Sequence, residues 1–294
     1  MRRRLAVICL TLAPLCAHAW NAAGHRLTAA IAWRQLSPAT QAAVADLLAA
    51  HPDQARWTAK ARSSDPAALF AEASTWPDDI RGDPRFHDDD EPPTPHLPGL
   101  PDTARHRRWH FVDLGADGKP AAGELDRRIE ALARLLRSTA DPAHGAWILP
   151  WLIHLVGDIH QPLHVGHPED EGGNAVEIEN PFNPRQPFVS LHAYWDDLPG
   201  PPWLRGRRLD EKAHRLLEDY PPPAQKTVAG WRDESHRLLA ACYPDATGSL
   251  LPIVGEDFHR RSGETARRRV AAAGHRLGRL LEEILGARVS RETK

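Results

Sequence analysis

Residues 154–164 read HLVGDIHQPLH, three histidines and an aspartate in eleven positions. Imidazole nitrogen and carboxylate oxygen are the donors that hold zinc and related divalent ions. His154 and Asp158 stand four apart in the apolar run AWILPWLIHLVGDI, so a helix here projects both from one face, one turn apart. The Gln161-Pro162 pair should end that helix, because a residue before proline is pushed out of the helical region. His164 then leaves at a new angle, suited to a second ion nearby. A histidine in an apolar helix is commonly a satisfied core residue, so the stretch gains meaning only from the rest of the chain.

The same chemistry recurs elsewhere. His192 and Asp196 in LHAYWD repeat the four-residue spacing, His110 and Asp113 lie in WHFVD, Asp78 follows Trp76 in TWPDDIR, and His25 is five residues after Trp20. Such His/Asp clusters, each beside an aromatic, are not expected of an ordinary helical core. None contains a cysteine, which argues against a purely structural zinc finger. Carboxylate-rich sites with several ions serve phosphoester hydrolysis, where metals flank the attacking and leaving oxygens.

The elements that must position these residues are mainly α-helical. Helices are expected over 26–36 and 38–50, the second opened by Ser37 as cap and Pro38 at the first position. Asp65-Pro66 opens a third, through AALFAEASTW. Residues 81–107 lack periodicity and read as a long surface loop. Residues 124–139 form an amphipathic helix with Leu125, Ile129, Leu132, Leu135 and Leu136 on its apolar face. Asp141-Pro142 starts the helix that carries His154, and Pro150 should kink it. EGGNAVEIENPFNPRQPFVSL reads as a small β-hairpin excursion, and helices return over 209–219, 225–241 and 257–286. The expectation is one domain, residues 20–294, a multi-helix bundle around the metal-bearing helix.

The first nineteen residues, MRRRLAVICLTLAPLCAHA, read as a secretory signal peptide: three arginines, a short apolar run, and Ala17-His18-Ala19 for cleavage. The apolar run is too short to span a bilayer, and no membrane anchor is expected. Cys9 and Cys16 would leave with it, so Cys242 alone remains and no internal disulfide can form. Bound metal is then a natural staple for an exported fold. The chain has no Asn-x-Ser/Thr sequon, which leans towards bacterial export to a periplasm or the medium. Without the three leader arginines, 34 basic residues face 39 acidic ones, so affinity for phosphate must be local.

Taken in order, WNAAGH, WPD-x-x-R, HF-V-D, H-x-x-x-D-x-H-Q-P-L-H, G-G-N and L-H-x-x-W-D resemble the motif series of the zinc-dependent type I nucleases, the S-one/P-one family. The resemblance runs from Trp20 to Asp196, and the closing AGHRLGRLL is similar too. It implies a mainly α fold with three zinc ions at the bottom of a cleft. One ion would take Asp78, His110, His154 and Asp158. A second would take His164, His192 and Asp196. A third would take the free amine and carbonyl of Trp20, with His25 and the other oxygen of Asp158. An amine ligand must be free and deprotonated, half so only at about pH 8 without metal assistance, so leader removal would complete the site.

The resemblance also implies a reaction. Water activated between zinc ions and oriented by Asp78 would attack phosphorus in line, leaving 5′-phosphate products. Arg81 would neutralise the phosphate, as a planar guanidinium suits bidentate contact. Phe111, Asp113 and Asn174 would form a nucleobase pocket, and stacking there needs an unpaired base, so single-stranded DNA and RNA are the expected substrates. His160 matches a family histidine that is not a ligand and is read as supporting the site from behind. A 3′-nucleotidase activity is compatible with such a site, and a monomer is expected. Two rivals stand beside this reading. One is a bacterial zinc phospholipase C, against which weigh Asp196, where Glu is expected, and the base-pocket group; the other is a non-catalytic exported zinc-binding protein.

Overall fold

The computed structural model describes residues 20–245 and 251–287; the leader reading lies outside them. Among these residues are eleven α-helices and two small two-stranded sheets, the mainly α architecture expected. The first helices are α1 (Ala22–Trp33), α2 (Pro38–Ala50), α3 (Gln54–Ala61), α4 (Pro66–Ala73) and the single turn α5 (Trp76–Asp79). Next come α6 (Leu125–Ser138), α7 (Pro142–Asp158), α8 (Leu191–Asp197), α9 (Gly206–Asp219), α10 (Val228–Arg237) and α11 (Glu256–Leu281). No helix is long and apolar enough to cross a membrane.

Helix α7 is the axis. From Gly145 to Asp158 every residue is buried, and α1, α2, α5, α6 and α11 pack on it. The continuous apolar sequence explains this, since a helix with no polar face must be covered all round. Asp141 accepts the Ala143 N–H and Pro142 fills the first position; Pro150 stands inside the helix without ending it. Residues such as Ile148, Leu152 and Ile153 are fully buried, worth about 1.5–3 kcal/mol each. The helix stops at Asp158, before Gln161-Pro162, and a 3-10 turn follows over Pro162–Val165.

Helix α11 lies along α1, against which α9 and α4 also pack. Strands β1 (Val112–Leu114) and β2 (Pro120–Gly123) pair antiparallel, Val112 opposite Gly123. Strands β3 (Glu177–Glu179) and β4 (Phe188–Ser190) form the expected hairpin, Ile178 opposite Val189. Ser190 then caps α8 by accepting the Ala193 N–H.

Some expectations need correction. Helix α1 starts four residues before position 26, because the Asn21 side chain accepts the Ala23 and Gly24 N–H groups. The third expected helix is broken after Ala73 into α4 and α5. Leu135, placed on the buried face of α6, is 38% exposed, while Leu132 and Leu136 are buried. The 81–107 stretch is irregular but not only surface, since Phe86 and Leu100 sit in the core. His87 and His259, which lie outside any motif, are half-buried and bonded to Thr94 and Tyr194 respectively.

Candidate metal centre

Five separate segments bring the histidines and aspartates of the motifs together. His154, on α7, has its Nδ1 2.8 Å from the Ser74 carbonyl. That donation leaves the lone pair on Nε2, which faces His110 Nδ1 at 3.0 Å and Asp158 Oδ2 at 3.3 Å. His110 Nδ1 is itself 3.1 Å from Asp158 Oδ2, and Asp78 Oδ1 lies 3.7 Å from His154 Nε2. His25 comes from α1 and stacks on the His154 ring, centroids 3.8 Å apart. Its Nε2 is 3.4 Å from the other carboxylate oxygen, Asp158 Oδ1. Asp158 therefore turns one oxygen to His110 and His154 and the other to His25.

This approach of α1 to α7 depends on Gly157, where a Cβ would stand 2.7 Å from His25 Nδ1. A larger residue there would push the imidazole away. Trp20 is buried and lies over Gly24, whose added Cβ would come within 2.7 Å of it. The adjacent Asn21 N–H donates to the Asp196 carbonyl at 3.0 Å, tying the start of the described chain to α8.

A second cluster lies at the other end of the 158–164 turn. His164 Nδ1 donates to the His110 carbonyl at 2.6 Å and His192 Nδ1 to the Gly172 carbonyl at 2.7 Å. The two Nε2 atoms are thereby turned to one another, 3.1 Å apart, with Asp196 Oδ2 3.5 Å from His192 Nε2. Gln161 joins the clusters: it follows Asp158 by three residues and donates to Asp196 Oδ1 at 3.0 Å.

Three groups have ligand atoms within 4.8 Å of one another: His25, Asp78 and His154; His110, His154 and Asp158; His164, His192 and Asp196. Two imidazole lone pairs meeting at about 3 Å repel unless a cation lies between them. Neither ring nitrogen of His25 has a hydrogen-bond partner, nor do Asp158 Oδ1 and His110 Nε2, which in a buried site asks for a partner of another kind. Burial holds His25, His110 and His164 well below the usual histidine range, aided mainly by neighbouring histidines and Arg81. Neutral imidazole is the form a metal needs. Burial, and then Asp78, push Asp158 well above the usual carboxylate range; burial does the same for Asp196 against the Gln161 hydrogen bond. The residues fit divalent ions such as zinc.

A cavity of about 430 Å³ opens beside these groups, walled by His110, His164 and His192. Phe111, Asp113, Asn174 and Arg81 line it. Arg81 Nη2 sits 3.1 Å from Asp78 Oδ1. Asp113, on β1, is pushed up to about 6, by burial first and then by Asp170. Gly123 is what allows β2 so close: a Cβ there would overlap the Phe111 carbonyl, and its φ of +73° suits only glycine. His160 faces neither cluster; its Nδ1 donates to the Val156 carbonyl at 2.7 Å and its Nε2 accepts from Arg276. Reading the sequence misses Arg269, Arg276, Glu234 and Gln161. The available signal was the charge at 269 and 276, seven apart and so on the apolar face of α11.

The profile of the S1/P1 nuclease family matches residues 20–286. Two Arabidopsis thaliana proteins are similar. Endonuclease 2 is 28% identical over 185 residues, 61% of this chain and 55% of that protein. Endonuclease 1 is 30% identical over 183 residues, 60% of this chain and 52% of that protein. The chain thus spans about half the length of these curated relatives. As the match covers residues 20–286 and takes in every one of the converging histidines and aspartates, the chain belongs to the S1/P1 nuclease family, whose members depend on zinc.

Proposed function

We propose that the chain is a zinc-dependent endonuclease that hydrolyses single-stranded DNA and RNA to 5′-phosphate products, and that three zinc ions complete its site. The observation that carries this reading is that His110, His164 and His192, members of two of the three ligand groups, wall the cavity that Phe111 also lines. Asp78, His110, His154 and Asp158 would hold one ion; His164, His192 and Asp196 a second; His25, Asp158 and the amine and carbonyl of Trp20 a third. Zinc supplies Lewis acidity towards a phosphoryl oxygen and lowers the pKa of water from 15.7 to about 7.

The chain's own groups do the rest. Asp78 Oδ1, held at 3.1 Å by Arg81, accepts a hydrogen bond from the attacking water and orients it. Arg81 lines the same cavity and presents its guanidinium to the non-bridging phosphate oxygens. Phe111 stacks on a base, and Asp113 and Asn174 meet its polar edge. A duplex keeps its bases stacked on one another, so the pocket favours single strands. The protein acts after export, as a single catalytic domain and a monomer, and the same site removes a 3′-phosphate from a nucleotide.

The test uses the chain beginning at Trp20, given oligonucleotides of single-stranded DNA, RNA and duplex DNA with zinc or with a chelator. Zinc-dependent cutting of single strands, with 5′-phosphate ends, is expected. Hydrolysis of phosphatidylcholine with inert polynucleotide would overturn the reading in favour of a phospholipase. Zinc binding with neither activity would leave only a zinc-binding protein.

A further inference from the structure

The cleft does not end at the metal groups. His192 and Asn174, which wall the cavity of Phe111, also wall a second cavity of about 470 Å³ on their other side. Asp78 and Asp196 reach this space too, and Phe188 and Gln186 line it. Phe188 is 54% exposed, an aromatic ring left in water at the edge of a cleft. It is not on a loose end. Strand β4 runs from Phe188 through Ser190 into α8, which bears His192 and Asp196. Opposite it, Glu179 on β3 is anchored on both sides, its N–H to the Pro252 carbonyl and its carbonyl to the Val254 N–H.

Charge decides what this space can take. Besides the ligand residues Asp78 and Asp196, Asp79 and Asp197 line it and among the described residues no lysine or arginine does, so a phosphate is less suited there, while the arginines Arg81 and Arg107 line the first cavity. A neutral ring is the fitting occupant. We propose that Phe188 is the platform of a second base-stacking subsite, which receives the nucleoside across the scissile phosphate from Phe111. Stacking needs only a π-face and is tolerant of sequence. The Gln186 amide, with both donor and acceptor, can meet either kind of base edge. His192 and Asn174 line both cavities, so a dinucleotide bound on both platforms passes its bridging phosphate by the ligand groups. This subsite rests on the reading of the chain as a nuclease for single strands.

The experiment compares kcat/KM for a dinucleoside monophosphate with those for nucleoside 3′- and 5′-methyl phosphates, which have the same diester but one base. The wild-type protein favours the dinucleoside. Phe188→Leu, which keeps an apolar side chain on the strand, lowers that preference about tenfold through KM, and Phe188→Trp retains it. An unchanged preference in Phe188→Leu overturns the subsite, as does an equal loss on all three esters. Should the wild-type protein cleave none of them, the nuclease reading falls. Calorimetric titration with the dinucleoside, whose affinity Phe188→Leu must weaken, then reads the subsite separately.

Discussion

Arg276 Nη1 donates to His160 Nε2 at 2.7 Å, in the buried core two residues after Asp158. Arg269 donates to the His160 carbonyl at 3.1 Å and to Ser235 Oγ, which in turn donates to the Ile159 carbonyl. Glu234 joins the two arginines, 3.0 Å from Arg269 Nη1 and 2.7 Å from Arg276 Nη2. Helices α10 and α11 thus hold the turn that separates the two ligand clusters.

Losses within this network should therefore not add. Arg276→Met leaves Glu234 half-paired and His160 Nε2 without a donor, at about 3–5 kcal/mol. In Arg276→Met with Glu234→Gln the contact between the two is lost only once, and the cost should be well below the sum of the single losses. Urea midpoints of the four proteins measure this. Additive losses would mean that the pair does not act as a unit.

Asp158 should respond to substitution with opposite signs in two states. With zinc bound, Asp158→Asn removes the ligand facing both His25 and the His110–His154 pair, so activity should fall about 10³-fold. Its melting temperature should fall by about 10 °C, the scale of losing a tightly held ion. After chelation the same substitution removes a carboxylate whose burial opposes its charge, and the protein should melt no lower than the chelated parent. Calorimetric scans with and without chelator decide it; destabilisation in both states would contradict a role in holding metal.

How much was legible in the sequence depended on whether local rules settled the outcome. Ser37-Pro38 placed α2 to the residue, because a cap and an N-terminal proline act within one turn. Helix α3 escaped notice because of its eight residues only Trp57 is buried, so it has no apolar stripe. Strands β1 and β2 are three and four residues long and held by long-range contacts, with Gly123 permitting the approach. The ligand types and spacings could be read from the motifs. The way they are held could not: His164 is oriented by the His110 carbonyl and His192 by the Gly172 carbonyl, groups every residue possesses.

Asp113 should make base preference depend on pH. Its carboxyl titrates near 6; below that it can donate as well as accept, above it only accepts. Guanine offers N–H donors along its pairing edge, so preference for guanine over uracil should rise as pH passes upward through about 6. In Asp113→Asn, which cannot titrate, the preference should be flat over that range. The same slope in both proteins would remove Asp113 from base recognition.

A chain that begins at Trp20 should hold more zinc than one that begins earlier. Trp20 is buried beside Gly24, and Asn21 is fastened to α8. One residue added before Trp20 turns its amine into an amide without a basic lone pair. Elemental analysis should then find fewer zinc ions than in the chain beginning at Trp20, and equal counts would refute the amine as a ligand.

Acid should destabilise the metal-free protein well before its carboxylates titrate as a class. Burial lowers the pKa of His25, His110, His160 and His164 well below the unfolded value of 6.5, and that of His51 to about 4. For each, stability is intact above 6.5 and is lost as pH falls towards the folded value, because the unfolded chain takes up protons that the fold refuses. Asp158 and Asp196, raised well above 3.8, Asp79, raised by burial, and Asp113, raised to about 6, act the other way, gaining stability as pH falls. These five imidazoles outnumber the four carboxyls, so the urea midpoint of chelated protein should drop between about pH 7 and about pH 5. Two of the carboxyls that oppose the drop, Asp158 and Asp196, can be isolated. In Asp158→Asn with Asp196→Asn the stabilising protonation is gone, and the midpoint should fall more steeply over the same range. A midpoint that rises on acidification would show that the carboxyls, not the imidazoles, dominate the electrostatics of the empty site.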